Sequence, residues 1–181
     1  IGPFVGALPG TPSPAAVIDL HAHGGAPGNA LVLAHGLCPQ FSWHDTWLMA
    51  QKAVDAALRG LVAAGGNPDR AALLDNFCWP DPLPGETNPD ARHKLGQLVR
   101  ACAGMAAAAQ TFAAPFVSGK DSMKNDFVGS TQGGEPIKIS VPPTLLVTAI
   151  AASAGPSVVT ISVDGRASSG SGSGVFISSD G

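Results

Sequence analysis

The sequence predicts an α+β fold, a mixed or antiparallel sheet carrying two long helices on one face. Three observations carry that prediction. Residues 45–64 and 89–112 space their apolar side chains at helical intervals. Short apolar runs rich in Val, Ile and Leu lie around them, bounded by Gly and Pro clusters that punctuate strands. The resulting order, β-β-α-β-α-β-β-β, suits helices segregated to one side of a sheet.

The elements follow from the chain. Residues 1–14 are rich in Gly and Pro and read as an irregular lead-in. Residues 15–20 and 30–34 read as two strands joined by a glycine-containing loop over 21–29. The first helix takes Asp45 or Thr46 as its N-cap, buries Trp47, Leu48, Val54, Leu58, Leu61 and Val62, and stops at Gly65-Gly66. Residues 70–77 form the next strand. The segment 80–85, with prolines at 80, 82 and 84, can be neither helix nor central strand. Pro89-Asp90 opens the second helix, with Leu95, Leu98, Val99, Cys102 and Met105 on its expected buried face and an Ala run at 106–109. A short strand at 115–117, a polar loop at 118–126 and strands at 137–141 and 145–150, separated by Pro142-Pro143, complete this unit. The expected division is a domain over 1–151 and a tail over 152–181. In the tail, residues 168–174 are only Ser and Gly, a flexible-linker composition, and 158–163 could add one strand. The tail should therefore be loosely held.

Composition narrows the function classes. Apolar residues are 45% and charged residues 13% of 181 residues, a globular balance and not a disordered one. The formal charge is −3 and no basic run occurs, which argues against a nucleic-acid surface. No apolar run approaches the ~20 residues a membrane helix needs, and no signal-peptide pattern opens the chain. The start at Ile1 reads as a piece of a longer protein. Three separated cysteines form no disulfide framework, which points to a reducing, cytoplasmic compartment.

Five stretches carry a resemblance. They are GLCPQFS at 36–42, LDNFCWP at 74–80, KLGQLVRAC at 94–102, VSGKDSMKND at 117–126 and ISVPPTLL at 139–146. Over about 30–150 the chain resembles the synthetase part of phosphoribosylformylglycinamidine synthase, a family related to aminoimidazole ribonucleotide synthetase. The resemblance implies the second N-type subdomain of that part, half of a barrel completed by another N-type subdomain. It also implies membership of an ATP-dependent ligase of purine synthesis that uses magnesium, a small ribonucleotide substrate, and glutamine or ammonia. The expected partners are the remaining synthetase subdomains and a glutaminase domain or subunit. An isolated copy is expected to self-associate and to be inactive. Relatives commonly carry an acidic residue and an Asn one helical turn apart as magnesium ligands on the first long helix. Here Ala56 and Gly60 take those places, and Asp55 lies roughly 100° around the helix. A non-catalytic scaffold that has lost its magnesium ligands is therefore the alternative reading.

Among candidate site residues, Ser118, Gly119, Lys120, Asp121 and Ser122 offer backbone N–H groups, an ammonium and hydroxyls, the ingredients for holding phosphate. The spacing is not that of a Walker A loop, and a capped surface turn is the competing reading. Asp75 and Asn76 end an apolar strand, where they either face a site or form an Asx turn into the proline loop. His21, His23, His35 and Cys38 lack the tight spacing of a zinc set, and no metal is assigned to them. Cys102 reads as a core residue.

Overall fold

The computed structural model describes residues 15–21, 24–26, 29–152, 158–164 and 169–175, with side chains through residue 152. Strands β1 (Ala15–Asp19) and β2 (Ala30–Leu37) are followed by helix α1 (Thr46–Ala63). Strand β3 (Ala72–Cys78), helix α2 (Ala91–Thr111) and strand β4 (Phe116–Ser122) form the middle of the chain. Strands β5 (Asp126–Ser130), β6 (Pro136–Ser140) and β7 (Thr144–Ala152) follow, then β8 (Val158–Asp164) and β9 (Ser169–Val175). The five-stranded sheet runs β1-β2-β7-β3-β4, while β5-β6 and β8-β9 are separate hairpins. Within the sheet β3 and β4 are parallel, joined through α2 as a parallel pair requires, and the other neighbours are antiparallel. The expected α+β class with a mixed sheet is what the chain forms.

Helix α1 begins where the Asp45 carboxylate accepts the Trp47 N–H at 2.9 Å. It ends at Gly65, whose φ of +84° is a left-handed conformation that glycine adopts without strain. Its buried face, including Met49, Ala53, Val54, Ala57 and Leu61, packs on β2 and β7. On the sheet, Val32 and Ala34, Leu73 and Phe77, and Leu145, Val147 and Ala149 alternate inward with the pleat and are buried on the helix side.

Helix α2 corrects an expectation. Leu95, Val99 and Cys102 are exposed, and the buried positions are Ala91, Lys94, Ala101, Gly104 and Ala108, with Leu98 and Met105 partly buried. The cause is how closely the two helices approach. A Cβ built on Gly104 would lie 2.5 Å from the Trp47 carbonyl oxygen, so only the small-residue stripe fits against α1. The same crossing is fixed by a hydrogen bond from Thr46 Oγ1 to the Gln97 carbonyl at 2.6 Å and by Arg100, which donates to both Asp45 oxygens at 3.0 and 2.7 Å. Trp47 and Leu48 are half-buried and Val62 is exposed, so the inward face of α1 is likewise narrower than its apolar spacing suggests.

Three more boundaries differ. The expected loop at 118–126 is strand through Ser122, because β3 supplies a parallel partner for its backbone. β5 was not expected. Its pairing with β6 closes over 131–135, where Gly134 takes φ +84°. The Ser/Gly run, expected as linker, forms β9 paired with β8, so the tail contains a two-stranded hairpin and not a lone strand.

Candidate functional site

The pleat splits the candidate residues between two sides of the sheet. In the β3–β4 ladder Leu74 pairs with Ser118, Asp75 with Gly119, Asn76 with Lys120, Phe77 with Asp121 and Cys78 with Ser122. Leu73 and Phe77 point to the helices, so Asp75, Gly119 and Asp121 share that side. Asn76, Ser118, Lys120 and Ser122 share the opposite side, which no helix among the described residues covers. The structure thus joins Asn76 to three of the predicted phosphate-contacting residues and separates Asp121 and Gly119 from them.

On the uncovered side Lys120 is exposed, and its Nζ donates to the Ser122 hydroxyl. An ammonium, two hydroxyls and a carboxamide on adjacent strand positions form a donor-rich patch. Next to it the same side becomes apolar: Leu74, Leu146 and Ile150, then Leu31 and Leu33, are only half-buried, and Leu37 is 51% exposed. One face therefore has a polar edge at β3–β4 and a largely apolar remainder, interrupted by the paired His35 and Thr148.

On the helix side a larger residue at Gly119 would displace the Asp75 side chain. A Cβ there would lie 2.5 Å from an Asp75 carboxylate oxygen. Burial raises the Asp75 pKa, and the nearby Asp121 charge raises it further. Cys102 is exposed as a residue, yet its thiol is crowded enough that burial, then Asp121 and Asp75, raise its pKa. Neither of the two readings of Asp75 and Asn76 covers both residues: Asp75 faces the helix side and Asn76 the open side, both inside β3 and not in a turn.

For a cation the residues fit poorly. Among the described residues no group of three or more His, Cys, Asp or Glu is gathered as metal ligands. His23 lies outside the described residues, His21 and His35 are exposed, and burial raises the Cys38 pKa. On α1, Asp55 is paired with Arg59 at 3.0 Å, and a Cβ on Gly60 would meet the Ala34 Cβ at 3.1 Å. The two α1 positions carry no oxygen side chain, and position 60 has little room for one. Among the described residues no helix is long and apolar enough to cross a membrane.

A second polar cluster went unrecognised in the sequence. Lys94, expected only as part of a helical stretch, is 8% exposed at its side chain; Nζ donates to Asn88 Oδ1 at 2.9 Å and pairs with Asp90 at 2.9 Å. Asn88 Nδ2 in turn donates to the Asp81 and Leu83 carbonyls, both at 2.8 Å, which fixes the proline loop. Asp126 Oδ2 accepts the Asp81 N–H at 3.0 Å and lies 3.7 Å from Lys138 Nζ. Burial alone would raise the Asp126 pKa; the Ser140 hydroxyl, the Asp81 N–H, Lys138 and Lys94 outweigh it and lower the pKa. Asp126 Oδ1 is buried and has no hydrogen-bond partner among the described residues. The only advance signal was a lysine one turn into a helix beside a proline-rich loop.

Comparison with known proteins agrees with this architecture. The family described as AIR synthase related protein, N-terminal domain, matches residues 13–142. The chain is similar to phosphoribosylformylglycinamidine synthase subunit PurL of Caulobacter vibrioides, 32% identical over 117 residues, covering 65% of this chain and 13% of that protein. The PurL subunit of Rhodospirillum rubrum is 33% identical over 115 residues, covering 64% and 14%. The chain thus spans about one-seventh of these relatives. Among solved structures, phosphoribosylformylglycinamidine synthase II of Thermotoga maritima superposes with a TM-score of 0.56 at 20% identity, covering 81% of this chain and 22% of that one. The T. maritima PurL complexed with ATP superposes with a TM-score of 0.55 at 21% identity, covering 78% and 20%. The family match extends over β1 through β6 and both helices. The chain belongs to the AIR synthase related protein family, in its N-terminal domain.

Proposed function

We propose that this chain acts as the second N-type subdomain of the synthetase part of a phosphoribosylformylglycinamidine synthase. In that reading the parent protein is a cytoplasmic, ATP-dependent ligase. It converts formylglycinamide ribonucleotide to formylglycinamidine ribonucleotide, with nitrogen from glutamine or ammonia. The observation that carries the reading is the divided open face of the sheet. Its apolar part, running from Leu31 and Leu33 through Leu146 and Ile150, offers the surface on which another N-type subdomain completes a barrel. Its polar edge, with Lys120, Ser118, Ser122 and Asn76, supplies donors to phosphate oxygens at the rim of that barrel. Lysine suits this role as a compact point charge on a flexible stem.

Magnesium, which this reading expects in the parent, finds no oxygen ligands at Ala56 and Gly60. That observation favours a second reading, in which the subdomain completes the barrel and no longer serves nucleotide chemistry. The other synthetase subdomains and a glutaminase domain or subunit are the partners in either case.

A chimera separates the two. The matching segment of the Caulobacter vibrioides PurL is replaced by residues 30–150 of this chain, and amidine formation from formylglycinamide ribonucleotide, ATP and ammonia is followed. The first reading predicts an active chimera that loses about 100-fold or more of its rate with Lys120→Ala. A folded but inactive chimera establishes the scaffold reading. The chain by itself should give no product, because the positioning of reactants requires groups from several subdomains.

A further inference from the structure

We infer that the open face of the sheet joins two copies of this chain in a proton-gated contact: the copies meet while His35 is neutral and part when it becomes an imidazolium. The inference rests on the proposed reading of that face as a surface for another N-type unit. The family match, over residues 13–142, corresponds to one such unit. In a solution of this chain, the unit available to cover the face is therefore a second copy.

Strand alternation sorts charge as well as apolarity. The five strands carry three carboxylates, Asp19, Asp75 and Asp121, and the pleat sends all three to the helix side. Asp19 pairs with Ala30, in step with the buried Val32 and Ala34, and Asp75 and Asp121 are in step with Phe77. The opposite face keeps His35 within its apolar part and Lys120 at its polar edge. It thus holds two basic groups and no carboxylate from the sheet.

His35 is exposed, with Leu33 and Leu37 flanking it on β2 and Thr148 opposite it on β7. Leu146 and Ile150 lie diagonally across on β7. Residues 1–14, which precede β1, have no ionisable side chain, and neither has the turn at 39–43. Lys52, Asp55 and Arg59 belong to α1, behind the sheet, where they act on the Cys38 thiol. Lys120 is three strands away, at least ~14 Å. No charged group therefore faces the imidazole, and among the described residues its ring makes no hydrogen bond or ion pair.

A neutral imidazole and a threonine hydroxyl can each donate and accept, and opposed residues of an antiparallel pair are close enough to do so. Covered together, neutral His35 and Thr148 can satisfy each other. An imidazolium has two donors and no acceptor, and covering it where no carboxylate answers it is costly. A second copy of the same face makes this worse, because it brings more basic groups and again no carboxylate. Histidine ordinarily changes charge between about pH 5 and 8. A contact that selects the neutral form is complete above that range and is lost as pH falls through it.

Sedimentation velocity of the full chain at about pH 8 and about pH 5.5 tests the inference. The wild type should associate at the higher pH, with its affinity at least about tenfold weaker at the lower. His35→Gln should associate at both with no pH response, and His35→Leu more tightly than the wild type at both. The exposed position lets both variants keep the fold. Leu33→Lys with Leu146→Lys should be monomeric at both. A wild-type chain that is monomeric at the higher pH, or association that survives that lysine pair, overturns the reading of the open face and the inference with it. Wild-type association undiminished at the lower pH, or a pH response that His35→Gln retains, overturns the inference alone.

Discussion

Burial raises the pKa of Asp75, with Asp121 adding to it, while hydrogen bonds and lysines hold the pKa of Asp126 down. The two carboxylates therefore make opposite contributions to stability. Asp126, depressed in the folded state, stabilises above the unfolded carboxylate pKa of about 3.9, and that contribution is lost as pH falls through its folded value. Asp75, raised in the folded state, is costly when ionised, and the cost is relieved as pH falls through its folded value. Asp126→Asn should then destabilise by about 1–3 kcal/mol at neutral pH, with the loss shrinking as pH falls through the folded pKa of Asp126. Asp75→Asn should stabilise at neutral pH. Denaturant titrations of both variants across pH check the two signs, and the same sign for both would contradict the charge environments described. At this scale the sequence showed which residues carry polar chemistry but not their sides. Asp75 and Asn76 are adjacent, and only the pleat, oriented by Leu73 and Phe77 against the core, sends them to opposite faces.

Helix α2 shows where periodicity misleads at the scale of elements. It has two candidate stripes, one of large apolar residues and one of Ala and Gly, and hydrophobicity favours the first. Interhelix distance selects the second, because Gly104 sits against the Trp47 backbone. Gly104→Val should cost about 1–3 kcal/mol through overpacking. Val99→Gln, at a residue 62% exposed, should change stability by less than about 0.5 kcal/mol. Thermal melts of the pair test this, and a larger loss at Val99 would mean that the large apolar stripe is the buried one. The long segments were readable because caps and stops mark them: Asp45 caps α1 and Gly65 ends it. β4 was shorter in prediction than in the structure because its residues are polar, and its pairing depends on β3, more than thirty positions earlier. The two apolar residues of β5 gave too weak a pattern, although the glycines at 133 and 134 marked its turn.

At the scale of the molecule, the sheet has one face filled by α1 and α2 and one, free of helices among the described residues, that is largely apolar with a polar edge. An isolated chain with such a face should self-associate through it. Leu33→Lys combined with Leu146→Lys should shift the population toward monomer in sedimentation experiments while leaving the helices folded; self-association unaffected by that pair would place the contact elsewhere. The open face was foreseeable only through the resemblance, since alternation in β2 and β7 shows apolar residues on both sides without saying which neighbour is missing. The central claim is that the polar edge of this face holds phosphate through Lys120. Its direct test is a calorimetric titration of the chain with ATP, with and without magnesium, for the wild type and Lys120→Ala. The account predicts weak binding that changes little with magnesium and is abolished by Lys120→Ala; binding that is tight and magnesium-dependent, or that survives the loss of Lys120, would contradict it.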